Sequence, residues 1–591
     1  MIQYDDDFFN EIERNLLPSN VHFSVQQKNV IFNSDTANVI AGPGSGKTTV
    51  LIAKCALLLS EENQCNDEGI CVITHTNIAV DEILSGLHKV GIKEVGFPNF
   101  IGTIQEFIIQ YFSKKSFHLF SENQEMIVLD GEEYFQKFNE VFSYLKPRWY
   151  KWDAPRPEYK NPQITFKPNF KFDITSNAPP SYRDAFNSSI QTLLRLGYIN
   201  NSQCLEFANW YINNYQDSII EALKNRFRFI LLDEAQDTSD DQLTILNEIF
   251  LDNIPFQRFG DPYQALYTIF GGKKDAWLPS IEKVEKIEIT ETVRFSEEIA
   301  KHVRNVALEK YDAFTSASIN ESHSPYFILY NSEEDLIRKY DELIKFISDK
   351  DRSYNTSQNK DSIISLKHDD LKAIFKHYEK NNVDISISQS LITKLYKFII
   401  KTFAYETDIS LRESEEMLRE DYKTRINIAL GIKQAFSQNN VDFLISQIKS
   451  LCEKEISNFK DKKIKKKLEI MFSNTSVAAN IPDSVPSTSK RGVYIGTIHS
   501  VKGETHRSTL LLLNTQLDNH IFDILKPYLI GEYQSLDKIE KDLINDTIKF
   551  LKLAYVAFSR PTHLLAIGIE ESMLSPEYKE KLIAYGWVEK E

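Results

Sequence analysis

Asn38-Val39-Ile40-Ala41-Gly42-Pro43-Gly44-Ser45-Gly46-Lys47-Thr48-Thr49 reads as the end of an apolar strand, a glycine-rich turn and the opening of a helix. Small residues in such a turn let backbone N–H groups wrap a phosphate, and the helix N-terminus adds a favourable dipole. On this reading Gly42, Gly44, Ser45, Gly46, Lys47, Thr48 and Thr49 hold a nucleotide. Lys47 serves the β- and γ-phosphates, and the Thr48 hydroxyl ligates Mg²⁺. The strict eight-residue motif begins with glycine, whereas Ala41 stands there. A strand that feeds a phosphate loop and then a helix points to α/β architecture with parallel sheets.

Working outward, short apolar runs recur at 70–73, 227–232, 256–259, 326–330, 362–366, 493–497, 509–513 and 564–569. Most are apolar on both faces, as buried parallel strands are, and helix-period stretches such as 48–60 and 333–347 intervene. Two regions break the alternation. Residues 113–221 are mainly helical in pattern around a proline-rich stretch, and 386–472 are almost wholly helical before a Ser/Pro/Asn-rich linker at 473–490. The expected organisation is 1–112 plus 222–290 as one α/β domain with 113–221 inserted. A second, 291–385 plus 487–591, carries 386–486 as its insertion.

Phe227-Arg228-Phe229-Ile230-Leu231-Leu232-Asp233-Glu234-Ala235-Gln236-Asp237 supplies the acidic partner of the loop. Asp233 is placed to hold Mg²⁺ and Glu234 to take a proton from water. Alone, an acidic pair after a strand also suits a helix N-cap. Beside the phosphate loop it indicates ATP and Mg²⁺ as cofactors and hydrolysis as the reaction.

The chain has 591 residues with 69 Lys+Arg against 84 Asp+Glu, a net charge of −15, which taken alone disfavours a nucleic-acid partner. Hydrophobic residues at 42% and charged residues at 26% exclude wholesale disorder. No apolar run is long enough to span a bilayer, and the acidic start (Asp5, Asp6, Asp7) is unlike a secretory signal. Cys55, Cys65, Cys71, Cys204 and Cys452 form no CxxC pair, so neither zinc nor disulfides are expected and a reduced, cytoplasmic setting is.

With loop and acidic pair fixed, further motifs follow in order. They are Gln27 within 23–27, Thr74-His75-Thr76-Asn77-Ile78-Ala79-Val80, Gly102-Thr103-Ile104-Gln105 and Gly260-Asp261-Pro262-Tyr263-Gln264-Ala265-Leu266-Tyr267. Arg294, Thr497-Ile498-His499-Ser500-Val501-Lys502-Gly503 and Tyr555-Val556-Ala557-Phe558-Ser559-Arg560 complete the set. Together these resemble the UvrD/Rep/PcrA type of superfamily 1A helicase. The resemblance implies two RecA-like parallel-sheet domains of the P-loop NTPase class, each with a mainly helical insertion. It further implies Gln27 on the adenine edge, Gln264 as γ-phosphate sensor, Arg294 and Arg560 at the γ-phosphate, and Glu504 at the ribose. Thr74, His75, Asn77, Thr103, Tyr267, Thr497 and His499 would contact nucleic acid. The implied activity is ATP-driven 3′→5′ movement on single-stranded DNA, with nucleotide closing the two domains on each other.

The departures fall on base-gripping positions. Val293 replaces the tyrosine that stacks on adenine, His75 a phenylalanine, Ile78 a lysine, and 268–271 read Thr-Ile-Phe-Gly where the family has Gly-Trp-Arg-Gly. Base–aromatic stacking is worth about 1–3 kcal/mol per base, so a weaker hold on DNA and a stronger ATPase than unwindase character are expected. The chain also resembles the helicase-like subunit of Gabija-type anti-phage systems, which partners an OLD-family nuclease with a TOPRIM domain. The alternative function is therefore a nucleotide- or DNA-end-sensing regulatory subunit. About 30 residues follow Arg560, so any DNA cleavage is expected to come from another protein.

Two basic runs stand against the acidic total. Residues 146–172 hold Lys146, Arg148, Lys151, Arg156, Lys160, Lys167 and Lys171 against Asp153 and Glu158, interleaved with aromatics and read as an extended segment. It suits single-stranded nucleic acid, a partner surface, or simple packing on its domain. Lys462-Lys463-Ile464-Lys465-Lys466-Lys467 lies in the second insertion.

Overall fold

The computed structural model describes residues 6–62, 68–121, 125–266, 277, 279, 283–366, 368–375, 493–513 and 520–590. Tyr267, 268–271, Lys462–Lys467 and the proposed second insertion 386–486 lie outside the described residues.

Two six-stranded, all-parallel sheets organise the chain. The first contains β1 (Ala37–Ala41), β2 (Gly69–Thr74), β3 (Phe100–Thr103), β4 (Phe227–Leu232), β5 (Phe256–Gly260) and β6 (Glu285–Ile289), in the order β6-β1-β5-β4-β2-β3. Alternate side chains serve opposite faces. Ile70 and Val72 join the core under helix Lys47–Glu62, while Cys71 and Ile73 join the core beneath helix Asp240–Phe250. Burial on both faces explains why these strands read as unbroken apolar runs.

The second sheet contains β7 (Tyr326–Tyr330), β8 (Asp361–Ser365), β9 (Tyr494–Thr497), β10 (His506–Leu512), β11 (Pro561–Glu570) and β12 (Val588–Lys590), in the order β9-β8-β10-β11-β7-β12. Helix Ile544–Phe558 packs on it with Phe550–Phe558 buried and ends at Ser559, so Arg560 emerges between that helix and β11. These two sheets give the α/β, twin RecA-like fold class. The domains also share a core: Leu266, fully buried, belongs to the second domain's cluster, and Tyr263 packs against it.

Between β3 and β4 stands the first insertion. Its core, from Phe117 to Phe207, is separate from the sheet core, and Ser113 Oγ donates to the Cys204 carbonyl at 2.8 Å where the two meet. Helix Asn201–Lys224 serves both, with Phe207 in the insertion core and Ala208 in the sheet core. The extended reading of 146–172 is corrected here. Pro157–Lys160 is a 3-10 turn, and Gln163–Lys167 pairs antiparallel with Lys171–Thr175. Asn169 and Phe170 take positive φ at the reversal, which asparagine tolerates through its short polar side chain. Ile164 and Ile174 face each other across the hairpin and bury toward the insertion core.

No described helix is long and apolar enough to cross a membrane, and the described residues hold no group of three His, Cys, Asp or Glu able to bind a metal. Cys55, Cys71 and Cys204 are buried free thiols.

Candidate functional site

The phosphate loop leaves β1 at Ala41 and turns through Gly44 (φ +74°) and Gly46 (φ +79°) into helix Lys47–Glu62. Gly44 is required twice over. A Cβ there would lie 2.5 Å from Arg294 Cβ and 2.6 Å from Thr292 Oγ1, both from beyond the first sheet, and the Val293 N–H donates to the Gly44 carbonyl at 3.0 Å. The Gly42 N–H donates to Ile289. Ser45 Oγ is buried with no hydrogen-bond partner among the described residues. Thr48 and Thr49 occupy the half-buried first turn of the helix.

Gln27 ties helix Val25–Phe32 to this loop. Its Oε1 accepts from the Ser24 N–H at 2.9 Å in a capping box, and its Nε2 donates to the Ser45 carbonyl at 2.9 Å. Gln26, beside it, accepts from the Thr290 N–H at 2.8 Å. Val293 is 52% exposed, so no ring stands at the position the family gives to its adenine-stacking tyrosine.

Lys47 Nζ sits 2.5 Å from Asp233 Oδ1 and 2.7 Å from Glu234 Oε1. Asp233 directly follows β4 and is anchored by its N–H to the Ile73 carbonyl at 2.8 Å. Glu234 follows in a left-handed conformation (φ +52°), a cost of about 1–2 kcal/mol for a residue with a Cβ. That turn is what brings its carboxylate back onto Lys47. Burial alone would raise the Glu234 carboxyl, but Lys47 outweighs it and holds it down at about 2. Burial would likewise lower the Lys47 ammonium, and the two carboxylates raise it instead. Glu234 is therefore ionised, the form a proton acceptor requires.

From this ion pair a continuous polar chain crosses to the second domain. Gln236 Nε2 donates to Glu234 Oε2 at 2.5 Å, and Gln236 Oε1 accepts from the Asp261 N–H at 3.1 Å. Asp261 Oδ2 accepts from Gln264 Nε2 at 2.7 Å and from the Tyr555 hydroxyl at 3.2 Å. Gln264 Oε1 accepts from Arg560 Nη2 at 2.8 Å. A second bridge joins Lys502 Nζ to Asp237 Oδ1 at 2.5 Å. Arg294 donates to the Ser559 carbonyl at 2.8 Å. Burial pulls Arg294 down to about 9, with Arg560 adding to the shift, and pulls Arg560 down to about 10; both remain cations at neutral pH.

The Glu504 carboxylate meets Lys360 at 2.6 Å and His506 at 3.3 Å, while its carbonyl accepts from Arg560 Nη1 at 3.2 Å. Gln236, Asp237, Asp261 and Lys502 were not singled out as site residues from sequence. The signal was an amide set between acids, whose role appears only when β4 and β5 lie side by side.

Burial pushes both Asp237 and Asp261 up to about 6, although Lys502 opposes it at the first and Gln264 at the second. A carboxyl raised in the folded state stabilises that state less as pH climbs through 4 to 6. The cross-domain bonds, however, need the ionised form. ATP turnover is therefore expected to fall as pH drops through about 6 while the melting temperature does not fall because of these two groups. Initial rates from about pH 5 to 8 beside thermal melts would check this, and a flat rate would count against it.

The candidate nucleic-acid residues gather at the C-terminal ends of strands, where ligands of open parallel sheets bind. Thr74 and Thr103 pair in register at the ends of β2 and β3. Thr74 is fully buried with its hydroxyl unpartnered among the described residues, and Thr103 caps helix Ile104–Ile108. His75 Nε2 meets Thr238 Oγ1 at 3.0 Å, next to Asp237, and burial lowers its pKa to about 4, so the ring is neutral. Asn77 is exposed at the start of helix Asn77–Lys89. Thr497 ends β9 opposite Ser365, and His499 is exposed in the following turn.

Residues 23–284 match the UvrD/REP helicase N-terminal domain. That stretch is UvrD-like. The chain is 25% identical over 268 residues to a probable DNA helicase II homolog of Mycoplasma capricolum, covering 42% of this chain and 35% of that protein. It is 23% identical over 339 residues to DNA helicase IV of Escherichia coli, covering 50% and 47%. It is 27% identical over 286 residues to Gabija protein GajB of Bacillus cereus, covering 47% and 48%. The chain thus spans between about a third and a half of the length of these relatives.

Proposed function

We propose that this protein is an ATP-dependent DNA helicase or translocase that hydrolyses ATP between its two RecA-like domains and moves 3′→5′ on single-stranded DNA. The observation that carries the reading is the polar chain from Lys47 through Glu234, Gln236, Asp261 and Gln264 to Arg560. It places a phosphate-loop lysine, an ionised carboxylate and a second-domain arginine in one connected set.

ATP and Mg²⁺ fit the residues present. Gly44 and Gly46 supply the positive φ that turns the loop into its helix, Ser45 offers a buried hydroxyl with no partner among the described residues, and Lys47 is a largely buried cation. Lys47 would hold the β- and γ-phosphates, Thr48 and Asp233 the Mg²⁺, and Gln27 the base. Bound Mg²⁺ supplies neutralisation of phosphate charge. Glu234 accepts the proton of the attacking water, which Lys47 permits by keeping the carboxylate ionised. Gln264 orients at the γ-phosphate side, and Arg560 and Arg294 bring positive charge from the second domain, the main requirement of phosphoryl transfer. Because Gln264 is bonded to Arg560, loss of the γ-phosphate changes a contact shared by both domains. Thr74, His75, Asn77, Thr103, Thr497 and His499 would follow that motion with the strand.

Steady-state ATPase with and without single-stranded DNA tests the motor. Several-fold stimulation is expected; none by any strand would overturn it. Similarity to Gabija protein GajB supports a second setting for the same site, as the nucleotide- or DNA-end-sensing subunit of an anti-phage complex with a nuclease partner. Co-purification from native cells separates the two. A nuclease recovered in stoichiometric amount favours the complex, and robust unwinding by the isolated chain favours the motor alone.

A further inference from the structure

On the first insertion, Trp149 is 53% and Trp152 is 66% exposed. Their ring centroids lie 6.5 Å apart, and both lean on Tyr150, at 5.9 and 5.4 Å. Tyr150 is itself fixed. Its ring meets Phe142 at 5.6 Å and Tyr182 at 5.1 Å, and its hydroxyl donates to the Asp153 carbonyl at 3.1 Å. The two indoles thus lean on a packed ring while more than half of each residue stays exposed.

Cations surround them. Lys146 Nζ lies 5.9 Å from the centre of the Tyr150 ring, and Arg148 and Lys151 flank Trp149 and Trp152 in the chain. None of these three forms an ion pair among the described residues, with Asp153 the single carboxylate in that stretch. Elsewhere in the same region Arg156 pairs with Glu132 and Glu158 and Lys167 with Asp173, while Lys160 and Lys171, like the three cations at the indoles, form no ion pair among the described residues. Beside the indole pair opens a groove of about 340 Å³ bounded by Leu145, Pro147, Tyr182 and Ala185, with Asp184 on its wall.

Two exposed indoles together with unmatched cations favour a polyanion that also presents flat apolar faces. Single-stranded nucleic acid has both, whereas a duplex keeps its base faces stacked inside. We propose that Trp149 and Trp152, with Lys146, Arg148 and Lys151, form a single-stranded nucleic-acid site on the first insertion, distinct from the strand-end residues of the two sheets. Bases stack on the indoles and phosphates meet the cations. The inference rests on the proposed function only for the kind of polymer involved.

The test uses the full chain, a fluorescent thirty-nucleotide oligo(dT) and no nucleotide, with anisotropy read over a salt series. Trp149→Ala/Trp152→Ala is expected to weaken binding about tenfold or more, since each lost stack costs about tenfold. Lys146→Gln/Arg148→Gln/Lys151→Gln should reduce the slope of log affinity against log salt by about 2. Melting temperatures within a degree or two of the parent would show that both variants fold. Parental affinity and slope in both folded variants would overturn the site, as would a loss seen for duplex but not for oligo(dT). A parent that binds oligo(dT) through these residues yet shows no stimulated ATPase would sink the motor and leave the site standing. Stimulated ATPase with undiminished binding by the variants would do the reverse.

Discussion

Lys47→Ala is expected to lower ATP turnover by about 10²–10³-fold or more. A preorganised cation aimed at developing phosphate charge is worth at least as much as one hydrogen-bond donor at an oxyanion, for which losses of that size are typical. The substitution acts on the protein as well. Lys47 is the counter-ion of Asp233, which is only 3% exposed, and of Glu234. Without it the buried carboxylate must take a proton or remain uncompensated, and breaking a buried pair from one side costs about 3–5 kcal/mol. The variant should therefore lose turnover, bind nucleotide more weakly and melt earlier. Lys47→Met, which keeps the volume, should lose turnover to the same degree. If either variant hydrolysed ATP at a tenth of the parental rate, the assignment of the phosphate loop would be wrong.

Arg560→Ala should separate binding from chemistry. An arginine delivered across a domain boundary to a transferring phosphoryl group contributes about 10³–10⁵ in kcat. The guanidinium here donates to Gln264 across the cleft and to the Val556 and Glu504 carbonyls within its own domain. Its removal leaves those acceptors without it but touches nothing on the phosphate loop. A fall in kcat of about 10³ with nucleotide affinity within a few-fold of the parent is expected, read by single-turnover hydrolysis and by titration with a fluorescent nucleotide. Arg560→Lys restores charge without the fork and should recover little. An alanine variant that lost affinity and kept kcat would move this residue out of the reaction and into binding.

Much of the fold was legible in local pattern. The buried strands β1, β2, β4 and β5 show as apolar runs because both their faces are covered, and the phosphate loop shows because only small residues satisfy its backbone. The hairpin at 163–175 did not show, since prolines and lysines around it mask the short alternation of Ile164, Phe166, Phe172 and Ile174. At the site, residues that act through backbone geometry or charge, such as Lys47 and Asp233, follow from motif position. Gln236 and Lys502 do not. Their partners, Asp261 and Asp237, are 25 and 265 residues away in sequence, and no local periodicity encodes such a meeting. Gly44 is a mixed case: its loop is written in the sequence, whereas the pressure of Arg294 and Thr292 on it is not.

Leu266 gives the cleft a mechanical character. It follows Gln264 by two residues and lies fully buried in the other domain's core, beside the partly buried Tyr263. Drawing the domains apart far enough to wet that side chain costs about 2 kcal/mol, a bias of roughly thirtyfold toward closure. The cleft therefore behaves as a sprung jaw. Whatever opens it must do work against Leu266, and that work is returned when the jaw shuts.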